Sequence, residues 1–391
     1  MAIDALSSKK AGALALIATA AVSLTSIPAV AHPEGQADPQ SAPVRAGVQI
    51  TPDAPKLPQG LSARAWTVAD ADSGDVLAAK DAHRKLAPAS TLKTLFAVTV
   101  LPKFSAGAVR QVSAGDLEGV GAGSSLVGIR KGKRYKVADL WQGVFLRSGN
   151  DAVHVLASMN GGWDATAREM QQTARKLGAR DTTVKSPDGY DAPGQVSSAH
   201  DLTIFARAGL ADEDFARYCS TARAQFPGPK GTTEIENTNR LLVGSHGLSR
   251  YPGIIGVKNG YTTNAGNTLI AAARRGDRTL VVTVLNPQSN ALNAVYTEAR
   301  SLLDWGFSSA KKARPVDSLH IVHAQHAAYA HGAGPGAVNA GATDIGGRGG
   351  SWYSAVAPWA YGAGSAALAA GIVLVLRLRG RGRTTPPGGT S

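Results

Sequence analysis

The pattern of apolar and polar positions places strands towards both ends of the globular region. Two half-apolar runs, residues 65–69 and 76–79, flank the turn residues "DSGD" and predict a β-hairpin. From residue 254 onwards, three β-type runs separated by turn residues predict an antiparallel meander, with a hairpin turn at residues 275–278. These three runs are "IIGVKNGYT", "NTLIAAARR" and "RTLVVTVLN".

Helical periodicity dominates the middle of the chain. The apolar run "LAPASTLKTLFAVTVL" starts at residue 86, and a longer helical pattern at 136–159 is interrupted by "RSGN". Further helical patterns cover residues 165–177 and 199–210, and "ALNAVYTEARSLLDWGFSS" closes the domain as a helix. Strands at both ends with helices between them predict an α+β fold, in which the first strands pair with the last ones.

The flanking segments predict an exported protein with a membrane anchor. Residues 1–31 combine Lys9 and Lys10, an apolar stretch and the small-residue site "AVA", which predicts a signal peptide; a buried N-terminal helix is the alternative. Residues 32–57 predict a disordered linker, 58–310 the globular domain, and 311–351 a stalk rich in Ala, Gly and His. Residues 352–376 predict a transmembrane helix, or alternatively a buried or interfacial one, and 377–391 an arginine-rich cytoplasmic tail.

Charge and cysteine content narrow the classes of function. The net charge of +13 comes from 41 Lys and Arg against 28 Asp and Glu, and part of the excess lies in the tails. We interpret it as a membrane-orientation signal, and we expect no nucleic-acid partner because there is no basic module interleaved with aromatic residues. The single cysteine, Cys219, excludes an internal disulfide and is expected to be a small buried side chain.

The histidines of the predicted stalk offer a second interpretation of that segment. Their near-helical spacing is compatible with metal ligation, but we interpret the segment as a disordered His/Ala-rich tract. They are His320, His323, His326 and His331.

The first candidate for chemistry is Ser90, followed three residues later by Lys93. Residues three apart on a helix share a face, so the amine can reach the hydroxyl. Serine becomes a good nucleophile only when a base takes its proton, and lysine can act as that base only if burial or nearby positive charge lowers its pKa. Alone, this spacing also occurs by chance.

Two further motifs follow in the chain. Ser148 and Asn150 lie two residues apart at the break between predicted helices, where a hydroxyl and an amide can point into one cleft; a plain helix-linking turn is the alternative. Lys258, Asn259 and Gly260 lie on a predicted strand, where the glycine lets a substrate backbone approach and the lysine adds a cation that would lower the pKa of Lys93.

Together, SxxK, SxN and KxG in this order resemble the motif set of penicillin-binding proteins. The chain resembles the low-molecular-mass D-alanyl-D-alanine carboxypeptidases, the serine peptidases of bacterial walls. The resemblance covers residues 57–307 and extends to "SGNDAVHVLA", "SPDGYDAPGQVSSAHDLTIFARAGL", "NTNRLL" and "YPGIIGVKNGYTTNAGNTLIAAA". It implies the penicillin-binding protein/β-lactamase-like transpeptidase fold, an antiparallel sheet flanked by helices with a helical subdomain.

The resemblance also implies a covalent mechanism without a cofactor or metal. Ser90 would be the acylated nucleophile, Lys93 its general base, and Ser148 the relay that passes a proton to the leaving D-alanine. The substrate would be a peptidoglycan stem peptide ending in D-Ala-D-Ala, during cell wall maturation and the control of cell shape. β-Lactams would be covalent inhibitors.

The remaining residues would bind the substrate. Asn150 would hold the peptide amide, Lys258 would be the strand cation, and the backbone N–H groups of Ser90 and Tyr261 would form the oxyanion hole. Gly260 would allow the close approach of the substrate to the strand.

The third motif departs from the family at Asn259, where Thr or Ser usually binds the substrate carboxylate. An asparagine amide can still donate a hydrogen bond. Thr262 and Thr263 are candidate substitutes, because the loop "NPQSNAL" has no arginine.

Two rival functions follow from this comparison. A β-lactamase would need an additional carboxylate, and the chain has no ExxLN-like segment between the second and third motifs. A catalytically impaired wall-binding protein would keep the fold but lose turnover at Asn259.

Overall fold

The computed structural model describes residues 46–309 and 312–320, all within one of the two compact units of the chain. Eleven strands occur within these two ranges. In chain order they are β1 (Val48–Gln49), β2 (Ala63–Asp70), β3 (Asp75–Lys80), β4 (Val109–Gln111), β5 (Arg134–Lys136), β6 (Arg223–Pro227), β7 (Thr232–Glu236), β8 (Ile254–Thr262), β9 (Gly266–Arg275), β10 (Arg278–Pro287) and β11 (Asp317–Ser318).

The described ranges also contain eight α-helices and several short 3₁₀ turns. The helices are α1 (Lys93–Val100), α2 (Val137–Arg147), α3 (Asn150–Met159), α4 (Trp163–Lys176), α5 (Ala199–Leu210), α6 (Glu213–Ser220), α7 (Arg240–Val243) and α8 (Ala294–Ser309). Polar caps fix several of the helix starts; for example, Ser198 accepts a hydrogen bond from Asp201 N at the start of α5.

A seven-stranded sheet joins the two ends of the domain. Its order is β1-β3-β2-β10-β9-β8, with β11 paired to β3, and every pairing is antiparallel. β2 and β10 pair with Val68 opposite Val282, so the predicted pairing of the first strands with the last ones is confirmed. The predicted α+β class is also confirmed.

Hydrophobic clusters cover both faces of this sheet. On one face, Trp66 and Val68 of β2 pack in a cluster with Leu302 and Leu303 of α8. On the other face, a larger cluster gathers buried side chains from α1 to α6. Because β8 ends the sheet order, it presents one open edge, and that edge strand carries the third motif.

The domain extends beyond the predicted boundaries of 58–310. The predicted linker 32–57 contains β1, which pairs with β3 through Val48 and Lys80, and Pro55 O accepts a hydrogen bond from Trp305 Nε1 at 3.0 Å. The predicted stalk 311–351 begins with β11, in which Asp317 lies opposite Val76. The physical reason is that β3 would otherwise expose unpaired backbone groups, which these two-residue strands satisfy.

The predicted signal peptide 1–31, most of the linker, the rest of the stalk, the transmembrane helix 352–376 and the tail 377–391 lie outside the described residues. Within residues 46–309 and 312–320, no helix has the length and apolar character needed to cross a membrane. Cys219 is buried as expected, and burial raises its pKa to about 12, so it is an inert thiol.

Candidate active site

Ser90 lies in a 3₁₀ turn, Ala89–Leu92, that leads directly into α1. Two hydroxyl groups fix this turn by donating to the Pro88 carbonyl: Thr91 Oγ1 at 2.5 Å and Thr268 Oγ1 of β9 at 3.1 Å. The turn that presents Ser90 is therefore fastened to the sheet.

Lys93 is buried directly beside Ser90. Its side chain is 1% exposed, and Nζ lies 2.8 Å from Ser90 Oγ and 2.6 Å from the carbonyl oxygen of Asp188. Burial lowers the pKa of Lys93 to about 8, against the opposing charges of Asp188 and Asp151. A neutral amine within hydrogen-bond distance of the hydroxyl can accept its proton.

Ser148 and Asn150 occupy the junction between α2 and α3. Ser148 ends α2 in the left-handed region, with φ of +56°, and Asn150 begins α3. Asn150 Nδ2 donates to Ser124 Oγ at 3.0 Å. Among the described residues, the buried Ser148 Oγ and Asn150 Oδ1 have no hydrogen-bond partner, which is unusual for buried polar atoms.

Asp151 organises the loop beside this junction. Its carboxylate accepts hydrogen bonds from the backbone N–H groups of Val127, Gly128 and Ile129 at 2.8–3.0 Å. Asn150 N also donates to Ser125 O at 2.8 Å. The loop that contains Ser124 is thus tied to the start of α3.

Lys258 is buried on β8, with Nζ donating to the carbonyl oxygen of Asn259 at 2.8 Å. Burial, followed by the charge of Lys93, holds the pKa of Lys258 well below its ordinary value. Burial and a second cation were both expected to lower the pKa of Lys93. Burial is the largest influence on it, and Lys93 and Lys258 are close enough for their charges to repel each other.

Gly260 brings β8 against Ser90. A Cβ atom on Gly260 would lie 2.7 Å from Ser90 N, so the two backbones are in close contact. The side chain of Tyr261 is 68% exposed. Thr262 Oγ1 accepts a hydrogen bond from Ala265 N in the turn between β8 and β9, where it stabilises the turn.

Asn259 lines a cavity of about 400 Å³ next to the open edge of β8. Its Oδ1 accepts a hydrogen bond from Thr238 Oγ1 at 2.9 Å, which leaves the amide Nδ2 as its donor. Arg147 and Arg240 line the same cavity. Thr238 N donates to Leu146 O at 2.9 Å, so Thr238 connects the end of α2 with the third motif.

Sequence reasoning assigned no role to Thr238, Asp188 or Gly189. A Cβ atom on Gly189, which has φ of +79°, would lie 2.1 Å from Ala89 O, so only glycine fits against the Ser90 turn. Thr238 lies in "NTNRLL", and Asp188 and Gly189 lie in "SPDGYD", two segments that carry the family resemblance. Their roles come from contacts with residues that are distant in sequence, which the segments alone do not reveal. The first and third motifs therefore meet where Gly260 contacts Ser90, and Thr238 links the third motif to Leu146, two residues before the second motif.

Comparisons with known proteins agree with this geometry. The family model described as Peptidase S11, D-alanyl-D-alanine carboxypeptidase, matches residues 50–289. D-alanyl-D-alanine carboxypeptidase DacB2 of Mycobacterium tuberculosis is 38% identical over 255 residues, which are 64% of this chain and 84% of that protein.

Two solved structures confirm the predicted penicillin-binding protein-like fold. The crystal structure of a D-alanyl-D-alanine carboxypeptidase from Mycobacterium tuberculosis has a TM-score of 0.62 at 36% identity, covering 68% of this chain and 98% of that one. Penicillin-binding protein 6B from Escherichia coli has a TM-score of 0.59 at 31% identity, covering 67% of this chain and 82% of that one. This chain belongs to the peptidase S11 family of D-alanyl-D-alanine carboxypeptidases.

Proposed function

We propose that this protein is a serine-type D-Ala-D-Ala carboxypeptidase that removes the terminal D-alanine of peptidoglycan stem peptides. The observation that carries the proposal is the 2.8 Å contact between Ser90 Oγ and the buried Lys93 Nζ, whose pKa is lowered to about 8. Family membership supports the same reaction.

Acylation uses the first two motifs. Neutral Lys93 accepts the proton of Ser90 as Oγ attacks the carbonyl carbon of the penultimate D-alanine. The backbone N–H groups of Ser90 and Tyr261 stabilise the oxyanion, and the close contact of Gly260 with Ser90 N supports this pairing. Ser148 passes a proton to the departing D-alanine amine, and its otherwise unpartnered Oγ supports that role.

Substrate binding and deacylation use the rest of the site. Asn150 binds the peptide amide, and Lys258 and Asn259 face the terminal carboxylate. A bound carboxylate favours protonation of Lys258, which is disfavoured in its buried, free form. Water then attacks the acyl-enzyme and releases the shortened peptide, while β-lactams acylate Ser90 by the same first step.

The location follows from segments outside the described residues. We place the catalytic domain on the outer face of the cytoplasmic membrane, exported by residues 1–31 and held by residues 352–376 with an arginine-rich cytoplasmic tail. The uncharged stretch followed by arginines supports this arrangement.

The direct test is release of D-alanine from a pentapeptide ending in D-Ala-D-Ala by the full chain. We use the full chain because a 58–310 fragment would lack β1 and β11. Wild type should release D-alanine, and Ser90→Ala, matched in thermal stability, should not. No release by folded wild type, with release gained in Asn259→Thr, would identify an impaired enzyme instead.

Labelling with fluorescent penicillin distinguishes the carboxypeptidase from a β-lactamase. A stable label that is absent in Ser90→Ala supports the carboxypeptidase, whereas rapid loss of the label would indicate a β-lactamase. Glu169 of α4 is a carboxylate between the second and third motifs. Its contacts argue against the additional role that a β-lactamase would need, because it is ion-paired with Lys103 and accepts a hydrogen bond from Asn160 Nδ2 at 2.9 Å.

A further inference from the structure

A second cluster of metal-ligating side chains lies outside the peptidase site. His83 follows β3, His200 is in the first turn of α5, and Asp317 is in β11. One ligand atom from each of these three residues lies within 4.8 Å of the other two. Three elements that are distant in sequence thus bring two imidazoles and a carboxylate to one point.

We propose that His83, His200 and Asp317 bind a zinc-type divalent cation that fastens the segment 316–320 to the domain. The fourth position of the ion is left to water. This site is separate from the peptidase chemistry, which uses a covalent mechanism at Ser90.

The distances fit a three-ligand site. Asp317 Oδ2 lies 3.2 Å from His83 Nε2 and 3.8 Å from His200 Nε2. Tetrahedral zinc with bonds of about 2.0–2.1 Å to nitrogen and oxygen separates its ligand atoms by about 3.3 Å. Two of the three separations are thus close to this value, and the ligand atoms of His83 and His200 lie within 4.8 Å of each other.

A carboxylate already orients His83 for this role. His83 Nδ1 lies 2.8 Å from Asp181 Oδ2, and Ser198 Oγ donates to the same oxygen at 2.9 Å. Histidines that bind metals commonly donate their other ring nitrogen to a carboxylate, which fixes the tautomer and the ring orientation. With Nδ1–H directed at Asp181, the lone pair of Nε2 faces Asp317.

His200 can also become a metal ligand if one proton moves from its Nε2 to its Nδ1. Its Nε2 lies 3.3 Å from the Ser318 carbonyl oxygen, so it donates there when no ion is bound. Its buried Nδ1 has no hydrogen-bond partner within the described part of the chain, and Asp201 Oδ1 lies 3.6 Å away. Transfer of the proton to Nδ1, beside Asp201, frees Nε2 for an ion.

The local charge favours a cation. With neutral imidazoles, the carboxylates of Asp181 and Asp317 leave an excess of negative charge beside His83, at 2.8 and 3.2 Å from its two ring nitrogens. Without metal, a protonated His83 bridges the two carboxylates. That arrangement does not account for His200, whose ring centroid lies 4.3 Å from that of His83 and whose Nδ1 has no hydrogen-bond partner among the described residues.

Zinc titration of the full chain, purified without a histidine tag and stripped with a chelator, tests the proposal. Zinc per chain is measured by equilibrium dialysis, with thermal melting in parallel. We expect one zinc to bind wild type and raise its melting temperature. His83→Gln and His200→Gln should each lose it, and Asp181→Asn should weaken it by about 10- to 100-fold.

His320→Gln is the matched control, because His320 lies on the same segment but contacts Ser73 O instead of the cluster. This variant should bind zinc like wild type, and penicillin labelling verifies that each variant is folded. The proposal would be overturned if wild type binds no zinc. It would also be overturned if His83→Gln and His200→Gln bind zinc like wild type, and the ion would then belong to other histidines.

Discussion

Replacing Gly260 with alanine should slow the acylation of Ser90 while leaving the fold intact. The added Cβ would lie 2.7 Å from Ser90 N, 2.7 Å from Thr268 Oγ1 and 3.0 Å from Ala89 Cβ. Reaching an ordinary contact of 3.4 Å from 2.7 Å moves the Ser90 turn by 0.7 Å relative to β8. Because φ at Gly260 is not positive, the alanine backbone itself is unstrained.

The size of the effect follows from that displacement. A misplacement of about 1 Å at a reacting centre costs on the order of 100-fold in rate. Loss of one oxyanion donor costs a similar amount, about 100- to 1,000-fold. A shift of 0.7 Å that keeps part of the donor geometry should therefore slow acylation by about 10- to 100-fold.

The assay is the second-order rate of labelling by fluorescent penicillin, with thermal melting of the same samples. Gly107→Ala is the matched control, since its Cβ would meet only Ser105 Oγ at 4.0 Å. An acylation rate in Gly260→Ala equal to that of Gly107→Ala would refute the reasoning. Recovery in the double variant Gly260→Ala/Thr268→Ala would also refute it, because Ser90 N remains crowded there.

Three further outcomes are expected. The acylation rate of wild type should rise about tenfold per pH unit below pH 8 and level off above it, because only the neutral form of Lys93 accepts a proton; a flat profile from pH 6 to 9 would contradict its role as the base. Asp151→Asn should lower the free energy of unfolding by about 3 kcal/mol in denaturant titrations, because a buried amide cannot accept all of the N–H groups of residues 127–129. Thr238→Val should raise KM for the D-Ala-D-Ala pentapeptide about fivefold, with no change in melting temperature. This factor corresponds to the free energy of one neutral hydrogen bond, about 1 kcal/mol. An unchanged KM would mean that the orientation of Asn259 does not matter.

Local patterns were sufficient to predict the main elements of the fold. The turn at Gly276, with φ of +63°, joins β9 to β10 where the sequence predicts a hairpin. β1 and β11 were missed, because two-residue strands carry no periodicity and exist only through pairing with β3. The two-stranded sheets β4–β5 and β6–β7 were also missed; β4 and β5 have three residues each, and β6 and β7 have five each.

The site, like the fold, was predicted from the sequence only in part. Ser90 and Lys93 are neighbours on one turn of helix, so their spacing alone predicts the contact. The left-handed Ser148 and the burial of Lys93 depend on tertiary packing, which no three-residue motif encodes. The sequence allowed both burial and a neighbouring cation as causes of a lowered pKa of Lys93, and in the structure burial is the larger one.

Asn259 changes the chemistry of the third motif without removing positive charge from its surroundings. Its Oδ1 is held by Thr238, so an amide N–H replaces the hydroxyl donor usual in the family. The adjoining cavity contains the guanidinium groups of Arg147 and Arg240, and Glu236, which also lines it, is ion-paired with Arg223. Under the proposed function, an anionic substrate end would meet a donor and a cationic wall at this edge of β8, although "NPQSNAL" has no arginine. We therefore expect the departure at Asn259 to change how tightly the carboxylate is held and to leave the pair of Ser90 and Lys93, which lies on a different element, unchanged.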